Sequence, residues 1–150
     1  MNIFILDRDP ELAAQMMFDK HVVKMALETA QILSTINGGP YAPTHQNHPC
    51  ILWAHAFRGN YDWLVKHGIA LCNEYYYRYE RHHKCEDVIY ELEKPSPVLD
   101  IPEGSTDFEQ CMPDEYKQAD PVLAYRAYYH SKASFARWTK RNPPDWWTGN

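Results

Sequence analysis

A stripe of polar side chains on the first long helix of the sequence carries the residue types that nucleophilic and acid–base chemistry requires. With Lys24 at zero on a helical wheel of about 100° per residue, five polar residues fall within roughly 60° of it: Lys20, His21, Glu28, Gln31 and Thr35. An amine can act as a nucleophile, a carboxylate as a general base and an imidazole as a proton carrier. Two interpretations remain open: a solvated face of an amphipathic helix, or the wall of a cleft that the C-terminal helix closes.

Two further polar residues of this helix, Gln15 and Asp19, fall on its apolar side. A carboxylate there is costly to bury unless a cation or several donors meet it. Asp19 therefore either pairs with a basic residue of the C-terminal helix, which is a structural role, or orients a ligand or acts as a general base. If the protein is an enzyme, we expect Asp19 or Glu28 to be the catalytic base, with His21 or His48 as the acid.

Arginines lie among aromatic rings in two later segments, Tyr75-Tyr76-Tyr77-Arg78-Tyr79 and Tyr125-Arg126-x-Tyr128-Tyr129. A nucleobase stacks on a flat apolar ring, and a phosphate binds Arg, Lys or a helix N-terminus. We therefore predict a site for a phosphate-bearing ligand, although each single tyrosine fits a core position equally well. The predicted phosphate ligands are Lys20, His21, Lys24, Arg126, Lys132 and Arg141, the predicted base contacts are Tyr125, Tyr129 and Trp138, and Gln31 and His48 complete the ligand-binding set.

Metal and cofactor motifs are not recognisable in the sequence. The tight clusters His45-x-x-His48 and His82-His83-x-Cys85 lack zinc-site spacing, and there is neither a glycine-rich phosphate loop nor a G-x-S-x-G motif. We therefore expect no metal and no cofactor. The four cysteines are expected to be reduced core residues, because nothing marks the chain for export and the cytoplasm is reducing.

The order of elements predicts a mainly α fold, a compact single-domain helical bundle over residues 1–150. Residues 2–6 predict one short N-terminal strand, and Asp9-Pro10 begins a helix that should run to about Ile36. Further helices are expected from Pro49 to about residue 58, over residues 61–82 and over residues 86–93. A long Pro-rich acidic loop follows to about residue 119, and the last helix should run from Pro121 to about Arg141.

Charge along the chain is uneven. The total is −5, but residues 86–115 hold ten acidic residues and one basic residue, so that segment is −9 and the remainder is +4. Bulk DNA binding is therefore not expected, whereas a compact phosphate site is compatible with the basic remainder. The apolar runs are too short to span a membrane, and 45% hydrophobic residues exclude a disordered chain.

Three motifs together resemble a family of small tailed-bacteriophage proteins. They are Asp19-Lys20-His21-Val22-Val23-Lys24-Met25 with Ala30-Gln31-Ile32-Leu33-Ser34-Thr35, then Cys111-Met112-Pro113-Asp114-Glu115-Tyr116-Lys117, and Ala124-Tyr125-Arg126-x-Tyr128-Tyr129 with Phe135-Ala136-x-Trp138-Thr139-Lys140-Arg141. The resemblance implies a viral protein in the cytoplasm of the infected bacterium. Some relatives carry a pyrimidine-dimer glycosylase label.

Such a glycosylase needs an amine nucleophile, a carboxylate and a basic DNA-binding surface. Lys20 or Lys24 with Asp19 or Glu28 supplies the chemistry. An α-amine nucleophile would require removal of Met1, which a residue as large as Asn2 does not favour.

Our primary hypothesis is a homo-oligomeric phage protein that binds a small nucleotide-like phosphate ligand and sequesters a nucleotide immune signal of the host. The alternatives are a glycosylase-like enzyme acting on a nucleotide or DNA base, and a protein-interaction module that docks through its acidic loop and Trp-rich tail. The acidic segment places the enzyme second, because extruding a base from a duplex needs a broad basic footprint.

Overall fold

The fold of residues 1–149, described by a computed structural model, is helical. Six α-helices form within these residues: α1 Pro10–Met16, α2 Asp19–Asn37, α3 Pro49–Ala56, α4 Arg58–Tyr79, α5 Glu86–Glu91 and α6 Pro121–His130. Three single 3₁₀ turns, Pro97–Leu99, Asp114–Tyr116 and Ala133–Phe135, occur in the connecting segments. None of the described helices is long and apolar enough to cross a bilayer.

Helix α4 is the central element and packs against α1, α2, α3 and α5. It lies close to α2 at Gly68, where a Cβ atom would lie only 2.7 Å from Thr29 Cγ2 and 3.3 Å from Ile89. A residue without a side chain is needed there because the helices could not otherwise come so near. The core between them holds fully buried residues such as Leu33, Leu64 and Leu71.

The predicted N-terminal strand is wrong, since no strand forms within residues 1–149. Residues 3–6 are buried as the apolar pattern requires, but no neighbouring strand is present to accept their backbone hydrogen bonds. Side chains satisfy the backbone instead: Asn2 Oδ1 accepts from the amides of Ile3 and Phe4, and Leu6 O accepts from Arg126 Nε at 2.8 Å. Phe4 adopts a left-handed φ of 57°, which a regular strand excludes.

The predicted first helix is interrupted at Met17 and Phe18, which are extended and fully buried. Tertiary contacts take over the hydrogen bonds of the break. The Phe18 amide donates to Tyr129 Oη at 3.0 Å, and the Asp19 amide donates to Arg137 O at 2.7 Å. The sequence alone contains no Gly or Pro that would signal this break.

The last helix is also shorter than predicted, because α6 ends at His130 rather than near Arg141. Residues 131–149 turn back across the bundle. Trp138 Nε1 donates to Met16 O at 2.9 Å, and Thr139 and Arg141 bond to carboxylates of α2 and α4. Beyond His130 the predicted helix is therefore replaced by an irregular C-terminal segment that covers the α1–α2 junction.

The segment between α5 and α6 is irregular, as its prolines predict, and it is fastened to the helices. Trp53 Nε1 donates to Asp107 O at 3.0 Å, and the Asn60 side chain bonds to Thr106 through both its amide nitrogen and its oxygen. The segment then passes the N-terminus, where Asn2 Nδ2 donates to Cys111 O at 2.7 Å. It thereby brings Cys111 next to the first residues of the chain.

Candidate active site

The α-amine of Met1 meets a buried carboxylate on the polar face of α2. Its nitrogen lies 3.4 Å from Glu28 Oε1. The side chains of Met1 and Glu28 are only 3% and 9% exposed. Because the Met1 side chain packs against the core, the amine is held in place beside Glu28.

The turn that carries Met1 is built by Asn2. Its Oδ1 accepts hydrogen bonds from the amides of Ile3 at 2.7 Å and Phe4 at 3.1 Å, and its Nδ2 reaches Cys111 O. Asn side chains commonly bond to nearby backbone amides in this way and so shape local turns. The position of the amine is thus fixed on both sides, by the Asn2 turn and by the packing of Met1.

Glu28 has a second oxygen, Oε2, that is buried and has no hydrogen-bond partner among the described residues. Leaving a charged oxygen buried without a partner costs folding free energy, so proteins retain such groups mainly at sites that use them. A carboxylate with one oxygen on an amine and the other unengaged can accept a proton from that amine. Glu28 is therefore the carboxylate of this helix with free capacity for chemistry.

Asp19, the other predicted carboxylate, is fully engaged in the fold. Its Oδ1 accepts from Arg78 Nη1 at 2.9 Å and from the Thr139 amide at 2.9 Å, and its Oδ2 accepts from Thr139 Oγ1 at 2.6 Å. Burial opposes ionisation of Asp19, but the Thr139 hydrogen bonds and the Arg78 guanidinium outweigh it and lower the pKa of this carboxyl. Its partner belongs to α4 rather than to the C-terminal helix, and its geometry is structural.

His21 lies on the same face of α2 as Glu28, two turns earlier, and is buried among aromatic rings. Its Nδ1 is 3.1 Å from Tyr129 Oη, and its ring centroid is 4.3 Å from that of Phe4. Burial, with the nearby charges of Lys132 and Lys24, lowers the pKa of His21 to about 3. His21 is therefore neutral at physiological pH and adds no positive charge to the predicted phosphate set.

Three predicted lysines remain accessible along this face. Lys20 and Lys24 are exposed, and Lys132 is half-buried with its Nζ 4.7 Å from the Tyr128 ring and 5.5 Å from the Phe4 ring. Lys20 Nζ lies 5.0 Å from the Phe135 ring. Since Lys24 and Lys132 both act on His21, these cations lie beside the part of α2 that leads to Glu28. Gln31 is half-buried one turn beyond Glu28.

The two predicted arginines form ion pairs with carboxylates of the protein. Arg126 Nη2 pairs with Asp7 Oδ2 at 3.2 Å, and Arg141 pairs with both oxygens of Glu74 at 2.9 Å. Both arginines line one surface cavity of about 410 Å³, together with Trp146. The structure thus brings Arg126 and Arg141 together, but with their charges matched by carboxylates and not in a cluster with Lys20 and Lys24.

The predicted base contacts have structural partners. Tyr125 and Tyr129 are fully buried, and Tyr125 Oη donates to Glu109 O while it accepts from the Cys111 amide. Tyr129 Oη accepts from the Phe18 amide. Trp138 packs edge-on against Phe18, with the ring centroids 6.2 Å apart. A tyrosine ring that is fully buried offers no face to a ligand, so we assign the two tyrosines to the core.

A group of metal-binding residue types lies close to the amine. One ligand atom from each of His48, Cys50 and Cys111 lies within 4.8 Å of the others, and the Cys50 and Cys111 sulfurs are 3.1 Å apart. The hydrogen bond with Cys111 and burial raise the pKa of Cys50, and the same hydrogen bond lowers the pKa of Cys111. His48 is also the N-cap of α3, because its Nδ1 accepts from the Cys50 amide at 3.1 Å.

Sequence reasoning set the α-amine aside and did not find this cysteine pair. The amine was set aside because it was expected to require removal of Met1, which the large Asn2 does not favour; the structure places the amine of Met1 itself beside Glu28. Cys50 and Cys111 are 61 positions apart, so no local spacing relates them. The sequence had singled out one member of the group, His48, as a candidate ligand-binding residue.

A family model described as pyrimidine dimer DNA glycosylase matches residues 1–87, which include Met1, Glu28, His48 and Cys50. No curated protein and no solved structure matches the chain.

Proposed function

The chain belongs to the pyrimidine dimer DNA glycosylase family, and from that premise we propose that it removes damaged pyrimidines from DNA with the Met1 α-amine as nucleophile and Glu28 as general base. The observation that carries the proposal is the 3.4 Å contact between this amine and a buried carboxylate whose second oxygen is free. It is this pair, rather than a lysine, that has the arrangement of an activated amine.

The reaction follows from the two groups. An amine attacks only when it is unprotonated, so Glu28 first takes a proton from the Met1 ammonium. The nitrogen lone pair then forms a bond to C1′ of the deoxyribose as the C1′–N bond to the base breaks, and the base leaves with that electron pair and takes up the proton that Glu28 holds. Of the two protons still on the nitrogen, one goes to the ring oxygen as the sugar ring opens and the other returns to Glu28, which gives an imine between Met1 and the sugar. Water hydrolyses the imine and frees the amine.

Lys20 and Lys24 are better placed to bind the phosphates of the DNA backbone than to act as the nucleophile. Lys24 lies one turn before Glu28, about 6 Å along the helix axis at 1.5 Å per residue. Lys20 and Lys24 are exposed, where they can contact phosphates that flank an extruded nucleotide. Such a footprint is small, which fits a chain of net charge −5. Replacing either lysine by alanine should lower the slope of log affinity against log salt by about one unit, because one lysine–phosphate pair is removed.

The test is to trap the imine. The 150-residue chain, with its N-terminal residue verified by intact mass, is mixed with a duplex that carries one cyclobutane pyrimidine dimer, and borohydride is added. We expect a covalent protein–DNA adduct whose peptide map places the sugar on the α-amine of Met1. Glu28→Gln should slow adduct formation by about 10²- to 10⁴-fold, the usual contribution of a general base.

Two controls sharpen this test. Glu91→Gln, an exposed carboxylate on α5, should form the adduct at the wild-type rate. A Gly-Ser extension ahead of Met1 should abolish it while leaving every lysine in place. An adduct mapped to Lys20 or Lys24, or full activity in the extended chain, would contradict the α-amine as nucleophile.

A second candidate function rests on the cavity between Arg126, Arg141 and Trp146. Two guanidinium groups and an indole suit a small nucleotide-like phosphate ligand, such as a host immune signal that the protein sequesters. A thermal-shift panel of nucleotides, followed by denaturation and analysis of what is released, tests it. Intact ligand released from the wild type but not from Arg126→Ala would support sequestration, whereas the absence of any shift would count against it.

A further inference from the structure

We propose that His48, Cys50 and Cys111 form a binding site for a zinc-class divalent cation beside the Met1 amine. One potential ligand atom from each residue lies within 4.8 Å of the other two. Two thiolates and an imidazole are a ligand set that Zn²⁺ prefers, with about 2.3 Å to sulfur and about 2.0 Å to nitrogen. The proposal concerns metal binding alone and stands or falls independently of glycosylase activity.

The distances allow a tetrahedral ion after small side-chain movements. Two sulfurs at about 2.3 Å from one tetrahedral centre are about 3.8 Å apart. The Cys50 and Cys111 sulfurs are 3.1 Å apart, so they need to separate by about 0.7 Å, which a modest rotation of the half-buried Cys111 provides.

Each ligand is held in place by contacts of its own. Cys50 is buried in the first turn of α3, and His48 directly precedes that helix. His48 Nδ1 is unprotonated and accepts a hydrogen bond from the Cys50 amide; coordination through this nitrogen exchanges that hydrogen bond for the bond to the metal. Cys111 is fixed on both sides of its backbone, because its amide donates to Tyr125 Oη and its carbonyl accepts from Asn2 Nδ2. This support resembles the outer hydrogen bonds that orient ligands in metal sites.

The electrostatics also favour a divalent cation. A doubly charged ion with two thiolates is neutral overall, so the filled site adds no net charge beside the Met1 ammonium. Binding releases the two thiol protons to solvent. Three protein ligands leave the fourth tetrahedral position for water or another small donor. The ion would join three separate parts of the chain: the start of α3, the acidic segment and, through Asn2, the N-terminal turn.

The test measures metal directly. The chain is purified under reducing conditions without chelator, assayed for bound metal, and then reconstituted with Co²⁺. We expect about one ion per chain and a thiolate-to-cobalt charge-transfer band in the near ultraviolet. Cys50→Ser and Cys111→Ser should each remove the band and weaken binding by more than about 100-fold, because even outer-shell changes cost 10- to 100-fold.

Matched controls use the cysteines outside the cluster. Cys72→Ala and Cys85→Ala should bind metal and give the band as the wild type does. A wild-type chain that takes up no ion, or a band that persists in Cys111→Ser, would overturn the proposal. So would thiol titration and peptide mapping that find a Cys50–Cys111 disulfide in freshly purified protein, because a disulfide removes both thiolate ligands.

Discussion

Asp19→Asn separates the structural role of Asp19 from a catalytic one. The side chain accepts three hydrogen bonds, one from Arg78 and two from Thr139, and so joins α2 to α4 and to the C-terminal segment. With Glu74 and Arg141 these groups form a cluster of two carboxylates and two guanidiniums, in which the charges balance. Asparagine keeps the volume and one acceptor but leaves the cluster with one unmatched positive charge.

The expected cost follows from the burial of Arg78. Its side chain is fully buried, and breaking one member of a buried ion pair costs about 3–5 kcal/mol. Two features reduce this figure: Glu74 Oε2 remains 2.8 Å from Arg78 Nε, and the Asp19 side chain is 14% exposed. We therefore expect the free energy of unfolding to fall by about 2–4 kcal/mol. For a chain of this size a loss of about 3 kcal/mol lowers Tm by roughly 6–12 °C.

Urea unfolding followed by tryptophan fluorescence measures the change, because Trp138 lies next to this junction. The control substitution is Asp114→Asn. Asp114 Oδ1 also lies 2.9 Å from its partner, Lys117 Nζ, but the Asp114 side chain is 95% exposed. Its expected effect on the free energy of unfolding is within about 0.5 kcal/mol. Both substitutions remove one carboxylate charge from an ion pair of the same length, so a larger effect at Asp19 reflects its burial and its two hydrogen bonds from Thr139.

The outcome also decides the chemistry. The structural assignment requires Asp19→Asn to be less stable yet to form the borohydride adduct at near the wild-type rate per folded molecule. A variant of unchanged stability that no longer forms the adduct would refute the assignment and make Asp19 the catalytic base.

Three further measurements test other parts of the structure. Folding lowers the pKa of Asp19, so its ionised carboxylate stabilises the folded state at pH values above the usual aspartate range, and this contribution is lost as the pH falls through the folded pKa. Urea midpoints measured below about pH 4 should therefore fall less steeply with pH in Asp19→Asn than in the wild type. Gly68→Ala should destabilise by about 1–3 kcal/mol in urea titrations because its Cβ meets Thr29 Cγ2, and Thr29→Ser should relieve part of that loss. The His21 imidazole, with a pKa of about 3, should show no NMR titration between pH 5 and 8, and a titration midpoint within that range would contradict its burial.

Local signals in the sequence identified helix starts correctly. Asp9 accepts from the amides of Glu11 and Leu12, Asp120 accepts from the Val122 amide, and His48 caps α3. In each case a capping side chain precedes a proline at the first helical position, and that pairing depends only on neighbouring residues. Such features can be predicted because their physical cause lies within a few positions.

Features that depend on distant parts of the chain were not predictable in the same way. Residues 2–6 have the composition of a strand, but a strand needs a partner, and residues 1–149 supply none. The break at Phe18 is stabilised by Tyr129, 111 positions away. The helical wheel did place Glu28 on the polar face of α2, but the same wheel gave no reason to prefer it to Asp19. The choice rests on which carboxylate has its oxygens already occupied.

The contacts of residues 138–141 bear on the order of events during synthesis. A nascent chain emerges from the ribosome N-terminus first, so α2 and α4 are available long before the residues that complete their shared charge cluster. Until Thr139 and Arg141 emerge, Asp19 lacks both of its Thr139 donors, and Glu74 lacks the two hydrogen bonds from Arg141. The α2–α4 junction is therefore completed only after translation of residue 141.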